Sequence, residues 1–133
     1  MKKLILIAIV VILSAAAYAF YLFNKKTSGL ENVKSDFKLT SNELFDTFEN
    51  DEATAMSLYE NKVIEVTGTV FAIQKTDSLS SVTLVADNAM IGGVNCSFNH
   101  AQIDVIEGQE VTIKGRCQGY LTDVILNNCN QVK

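Results

Sequence analysis

His100 is the only histidine in the chain, and a catalytic reading would have to start from it. A hydrolytic triad needs a base held by an acid and aimed at a nucleophile. Ser97 and Asp104 are near His100 in sequence. They flank a strand-to-helix junction, however, which gives no reason for the three to converge. The chain has no Walker loop, no dinucleotide-binding glycine pattern and no HExxH motif. The sequence therefore predicts no catalytic residue, no metal site, no cofactor and no enzymatic activity. Its three cysteines, Cys96, Cys117 and Cys129, form no CxxC pair, so the common redox and zinc signatures are missing as well. An odd count allows at most one intrachain disulfide. In an oxidising compartment Cys117 and Cys129 are the expected partners, on consecutive strands and closing a short loop, worth about 2–3 kcal/mol in chain entropy. The alternative is three buried thiols in a small core.

Binding chemistry has little more to draw on. Tyr120 is the one aromatic in a loop position from which it could stack on a base or a sugar. Lys75, Lys114 and Arg116 are the candidate cations of a ligand face. A binder of single strands normally sets several stacking platforms in a basic groove. One aromatic and three scattered cations make a poor version of that design. Each residue also has a plainer use: Tyr120 can pack on the end of a barrel, and Lys114 and Arg116 can be an outward solubilising pair. Charge weighs in the same direction. All 15 acidic residues lie from Glu31 onward, against seven basic residues beyond Lys26, so the part after the N-terminal segment carries −8. A protein that neutralises phosphates needs the opposite sign.

The elements that must position these residues are short strands. Lys62–Lys75 is long, with Gly68 near its middle. Ile64 and Val66 alternate with polar residues before that glycine, and alternation is lost after it. A bulge or coil at Gly68 would let one strand serve two sides of a barrel. Ser81–Ala86, Met90–Phe98, Glu110–Gln118 and Val124–Val132 follow, each with inward apolar residues at period two. Cys96 falls on the inward side of the third. Ile103, Val105 and Ile106, followed by Gly108, predict one or two helical turns between the third and fourth strands. The order β-β-β-α-β-β over this length fits a mainly β protein with a five-stranded OB-fold barrel. In that fold the face of strands two and three, with the loops after strands one and four (here Lys75–Ser80 and Gly119–Asp123), holds ligands.

One α-helix should precede the barrel. Thr40 and Glu43 have the spacing of a capping box, and Leu44, Phe45, Phe48, Ala55, Met56 and Tyr59 recur at helical spacing. Asn50-Asp51-Glu52 interrupts that stripe, which predicts a break or bend. The polar stretch before the helix reads as a linker, giving three regions: 1–26, 27–40 and 41–133. The first of these is a membrane segment. Leu4 to Phe23 is a 20-residue stretch without charge, enough at 1.5 Å per residue to span about 30 Å of hydrocarbon. Lys2 and Lys3 precede it; Lys25 and Lys26 follow. It is either an uncleaved signal anchor or a signal peptide cut after Ala17-Tyr18-Ala19. The apolar run past that site, through Phe23, favours the anchor. No cysteine lies near enough to the N-terminus for lipid attachment. The signal-like layout points the domain out of the cytoplasm, with the membrane as one partner and a protein or small ligand as the other.

The stretches Ala55-Met-Ser-Leu-Tyr59, Asn61 to Val70, Val94-Asn-Cys-Ser-Phe98, Glu107 to Tyr120 and Asp123 to Cys129 resemble the small bacterial OB-fold family described as tRNA-anticodon-domain-like. The resemblance covers residues 41–132 and rests on strand, turn and cysteine positions. It implies the barrel and, since many members are membrane- or lipid-anchored, the anchor. It implies no reaction and no ligand, because fold is not function.

Overall fold

The computed structural model describes residues 1–24 and 29–133. Lys25 and Lys26, and with them the expected boundary at residue 26, lie outside the described residues. Lys2–Asn24 is one uninterrupted helix, α1. It is long and apolar enough to cross a membrane, and none of its apolar window is covered by protein. That fits a signal anchor or membrane span.

Residues 29–40, expected as linker, are tied to the barrel. Leu30 begins a single 3₁₀ turn and is buried. Asp36 meets Val63 twice, its N–H donating to the Val63 carbonyl (2.7 Å) and its carboxylate accepting from the Val63 N–H (2.9 Å). Phe37–Thr40 then forms a short strand, β1, parallel to Ile64–Thr67. Four residues are too few to show a period, and the strand is held by a neighbour distant in sequence.

Thr40 starts the next helix as its residue types require. Its hydroxyl accepts from the Glu43 N–H (3.2 Å), and the Glu43 carboxylate accepts from the Thr40 N–H (2.8 Å). This is a complete capping box. Two helices follow, α2 over Ser41–Asn50 and α3 over Glu52–Tyr59, with the expected break between them. The break falls at Asp51, whose carboxylate accepts from both the N–H and the hydroxyl of Thr54 (3.1 and 2.6 Å). Those bonds hold the Asp51 carboxyl below its usual range, the hydroxyl contributing most. The interruption in the stripe is thus a second N-cap.

The barrel uses β2 (Val63–Lys75), β3 (Ser80–Val85), β4 (Gly93–Phe98), β5 (Glu110–Tyr120) and β6 (Val124–Val132). The sheet order is β1-β2-β3-β4-β6-β5, closed by β2 against β5. β2 does serve two sides. Val63–Thr69 pairs with β5 and Val70–Lys75 with β3. The register break lies between Val70 and Ala72, leaving Phe71 outside and exposed. Gly68 is therefore not the bulge. It is the seat of α2: a Cβ there would lie 2.4 Å from the Ser41 hydroxyl oxygen and 2.9 Å from the Ser41 Cβ. Ser41 itself is buried and donates to the Val85 carbonyl (2.5 Å).

No helix forms between β4 and β5. Ile103 and Val105 both turn inward while Asp104 and Ile106 face out, the period of an extended chain. Gly108, at φ +84°, ends this segment, and its N–H donates to the Val70 carbonyl (2.8 Å). Three apolar residues in four positions satisfy either period, and contact with β2 selects the extended one. The core fills the barrel and continues under α2 through Leu44, Phe45 and Phe48, all buried.

We expect Gly68→Ala to cost about 1–3 kcal/mol by overpacking. A compensating Ser41→Gly change should recover part of that, so the double variant is more stable than the two single costs imply. Urea unfolding of the four proteins in the cycle measures this. Strict additivity would mean that Ser41 is not what Gly68 makes room for.

Candidate functional site

The alternation that fills the barrel also sets its outer face. On β3, Ser80, Val82 and Leu84 point in, so Ser81 and Thr83 point out. On β4, Val94, Cys96 and Phe98 point in, so Asn95 and Ser97 point out. The strands pair Ser81 with Ser97 and Thr83 with Asn95. The Asn95 side-chain amide donates to the Thr83 hydroxyl (3.4 Å), and the Ser97 hydroxyl donates to the Asn95 side-chain oxygen Oδ1 (3.5 Å). These long bonds leave most of the donor and acceptor capacity of the four side chains facing outward. Next to them, Asn99 donates to Asn128 (2.6 Å).

Two clefts flank this face. The first, about 260 Å³, lies under the β2–β3 loop and is lined by Gln74, Thr76, Leu79, Ser80, Ser81, Ser97, Phe98 and Asn99. None of these is ionisable. The loop is held by Thr76, whose N–H and hydroxyl donate to the Leu79 carbonyl (2.8 and 3.1 Å). The second, about 400 Å³, lies between α3 and the β5–β6 turn and is lined by Glu52, Met56, Gln118, Gly119, Tyr120, Leu121 and Ile125. Leu121 at its rim is 83% exposed. The turn is fixed by Asp123, whose carboxylate accepts from the Gly93 N–H (2.7 Å).

The residues singled out in the sequence do not gather here. Lys75 stands at the edge of the first cleft, between Gln74 and Thr76. Tyr120 borders the second, but its ring belongs to the aromatic cluster under α2. It stacks on Phe48 (centroids 5.7 Å, planes 22° apart) and meets Phe45 edge-on (5.8 Å). Lys114 and Arg116 are on β5 and hold backbone. Lys114 Nζ donates to the Val33 carbonyl (2.9 Å) and Arg116 Nη1 to the Asn61 carbonyl (2.7 Å). Lys114 also pairs in register with Glu65, which bridges to Lys38 (3.7 Å). His100 Nδ1 bonds the Gln102 carbonyl (2.6 Å), its ring lies against Phe98, and Ser80 donates to its carbonyl (2.7 Å). The polar set Ser81, Thr83, Asn95 and Ser97 was not singled out by sequence reasoning. The same strand alternation that identified the core would have found it.

All three thiols are free and buried, and Cys129 does not face Cys117. A bulge at Asn128 (φ +54°) turns Cys129 toward Leu126, and its thiol donates to the Leu126 carbonyl (3.4 Å). The thiol it meets is that of Cys96. Interaction with Cys129, then burial, holds the Cys96 thiol well above the ordinary range. Burial pushes Cys117 up to about 11.

A closed five-stranded barrel with a helix across one end and a hydrogen-bonding outer face defines a binding domain of the OB class. The chain belongs to the tRNA_anti-like family, whose model matches residues 1–131. The match includes α1. The fold also aligns with the solved structure of a candidate nucleic acid-binding lipoprotein from Klebsiella pneumoniae subsp. pneumoniae MGH 78578. The two share 22% identity over 72% of this chain and 91% of that one, with a TM-score of 0.57. At that identity the likeness shows the fold alone. No curated protein matches the chain.

Tyr120→Ala should lower stability by about 2–4 kcal/mol, as removal of a packed aromatic does, while Ser81→Ala and Asn95→Ala should each cost under about 1 kcal/mol, as surface changes do. Urea midpoints decide this, and a Tyr120→Ala protein of unchanged stability would return Tyr120 to the ligand face. Alkylation of native Cys117 should be slow. Raised from 9.0 to about 11, it holds about 100-fold less thiolate at pH 8 than an ordinary thiol. Its rate, followed by mass spectrometry, should rise to that of an ordinary thiol when urea unfolds the chain.

Proposed function

We propose that this protein is a non-catalytic binding module, tethered to the membrane by α1 and facing out of the cytoplasm. In this reading it recognises an uncharged, hydrogen-bonding ligand on the β3–β4 face. The carrying observation is the chemistry of that face. Ser81, Thr83, Asn95 and Ser97 present donors and acceptors without charge, and the adjoining cleft adds Gln74, Thr76 and Asn99 beside the apolar Leu79 and Phe98. Hydroxyl- and amide-bearing ligands such as glycan segments or extended peptides suit such a surface, where a few placed polar groups orient a ligand on an apolar floor. Family membership supports a binding role. The apolar helix supports the tether: a 22-residue span without protein cover is stable in hydrocarbon and costly in water.

The second reading is single-stranded nucleic acid, which the description of the Klebsiella lipoprotein suggests for this fold. The −8 charge beyond the N-terminal segment and the absence of Lys or Arg from the first cleft argue against it here, because phosphate neutralisation supplies most of the affinity of such binders.

Full-length protein in nanodiscs, titrated with labelled oligonucleotides at low salt and with neutral oligosaccharides, separates the two readings. The first predicts no salt-dependent nucleotide binding and saturable oligosaccharide binding weakened at least about fivefold by Asn95→Ala, the loss of one hydrogen bond of about 1 kcal/mol. Nucleotide binding that falls steeply with salt would replace it with the second. A reporter fused after Lys133 that is active only in the cytoplasm would overturn the orientation.

A further inference from the structure

Among the described residues, Cys96 and Cys129 are a pair of thiols that this fold brings together and that no binding role uses. Cys96 lies on β4 and Cys129 on β6, with exposures of 0% and 2%. The two strands meet in a short parallel seam of three register pairs, Val94 with Val124, Asn95 with Ile125 and Cys96 with Leu126. The Cys129 thiol donates to the carbonyl of Leu126, the register partner of Cys96. The bulge at Asn128 directs Cys129 inward, and the bare Gly115 on β5 leaves room for it. A Cβ at Gly115 would come within 2.6 Å of the Cys129 sulfur. The Cys129 sulfur is thus aimed at the seam, and the two thiols interact.

We infer that Cys96 and Cys129 form a disulfide across the β4–β6 seam when the chain folds in an oxidising compartment, leaving Cys117 as the single free thiol. In the cell this rests on the extracytoplasmic reading proposed above. The oxidant is a disulfide: that of a thiol–disulfide oxidoreductase in the envelope, or of glutathione in a test tube. One cysteine thiolate attacks a sulfur of the oxidant, forming a mixed disulfide and releasing one thiolate. The other attacks its partner's sulfur in that mixed disulfide, closing the Cys96–Cys129 bond and releasing the second. Two electrons pass to the oxidant, and the two thiol protons end on its reduced thiols. Both cysteines are buried once folded, so the exchange belongs to the folding chain. The bond would join residues 33 apart, and it would bridge the seam with the fewest ladder pairs in the barrel.

The test is oxidative refolding of the reduced full-length chain into detergent micelles with glutathione and its disulfide, followed by N-ethylmaleimide in denaturant and peptide mapping. The expected result is one adduct, on Cys117, with the peptides of Cys96 and Cys129 joined. Cys117→Ser should keep that link, and Cys96→Ser should abolish it. Reduction should lower the melting midpoint by roughly 10 °C, as removal of a cross-link closing a loop of this size does. Three adducts, or a link that includes Cys117, would overturn the pairing. The same labelling of acid-quenched cells tests location separately. Three adducts there, alongside a correct link in the refolded chain, would uphold the pairing and count against the extracytoplasmic reading.

Discussion

The structure depends on how the open end of the barrel is closed. Five strands enclose a small core, and the end that α2 covers would expose it without a lid. α2 is that lid. Leu44, Phe45 and Phe48 enter from above, and Tyr59 and Tyr120 complete an aromatic layer at centroid separations of 5.7–5.9 Å. Burying side chains of this size stabilises by about 1.5–3 kcal/mol each, a large share for a domain whose net stability is of order 5–15 kcal/mol. The lid can lie that close only because Gly68 has no side chain and Ser41 reaches across to the Val85 carbonyl. The capping box at Thr40 starts the helix at that point, and β1 leads the chain into it.

This closure separates structural from available residues. Tyr120 is committed to the lid. Lys114 and Arg116 are committed to the backbone of the segments that approach the barrel. The outer surface of β3 and β4 stays open, bordered by two loops that are themselves pinned, one by Thr76 and one by Asp123. An uncharged, hydrogen-bonding surface on an acidic domain exerts little electrostatic pull on distant anions.

Much of the architecture was legible before folding was considered. Period two identified five strands, with Val124–Val132 matched at both ends. Thr40 and Glu43 mark the helix start, and the long strand Lys62–Lys75 reads as serving two sides of the barrel. The misses share one cause. β1 is four residues long and held by a partner distant in sequence. The helix expected before Gly108 and the bulge expected at Gly68 were both assigned from local pattern, and both were decided by contact with β2 or α2. For Tyr120 the sequence leaves stacking and packing on the barrel end both open, because its aromatic neighbours, more than 60 residues away, are visible only in the fold.

The sequence alone determined the apolar N-terminal helix, the barrel strands, the capped helix and the charge that works against phosphate binding, because each is a property of composition or of short-range period. Tertiary structure decided which cysteines meet, which glycine makes room for the lid and which polar residues share a face. Those depend on register and on bulges, where a shift of one residue reverses every side chain. Cys129 shows this most clearly. The sequence places it on the strand after Cys117, but the bulge at Asn128 turns it away, across the seam toward Cys96.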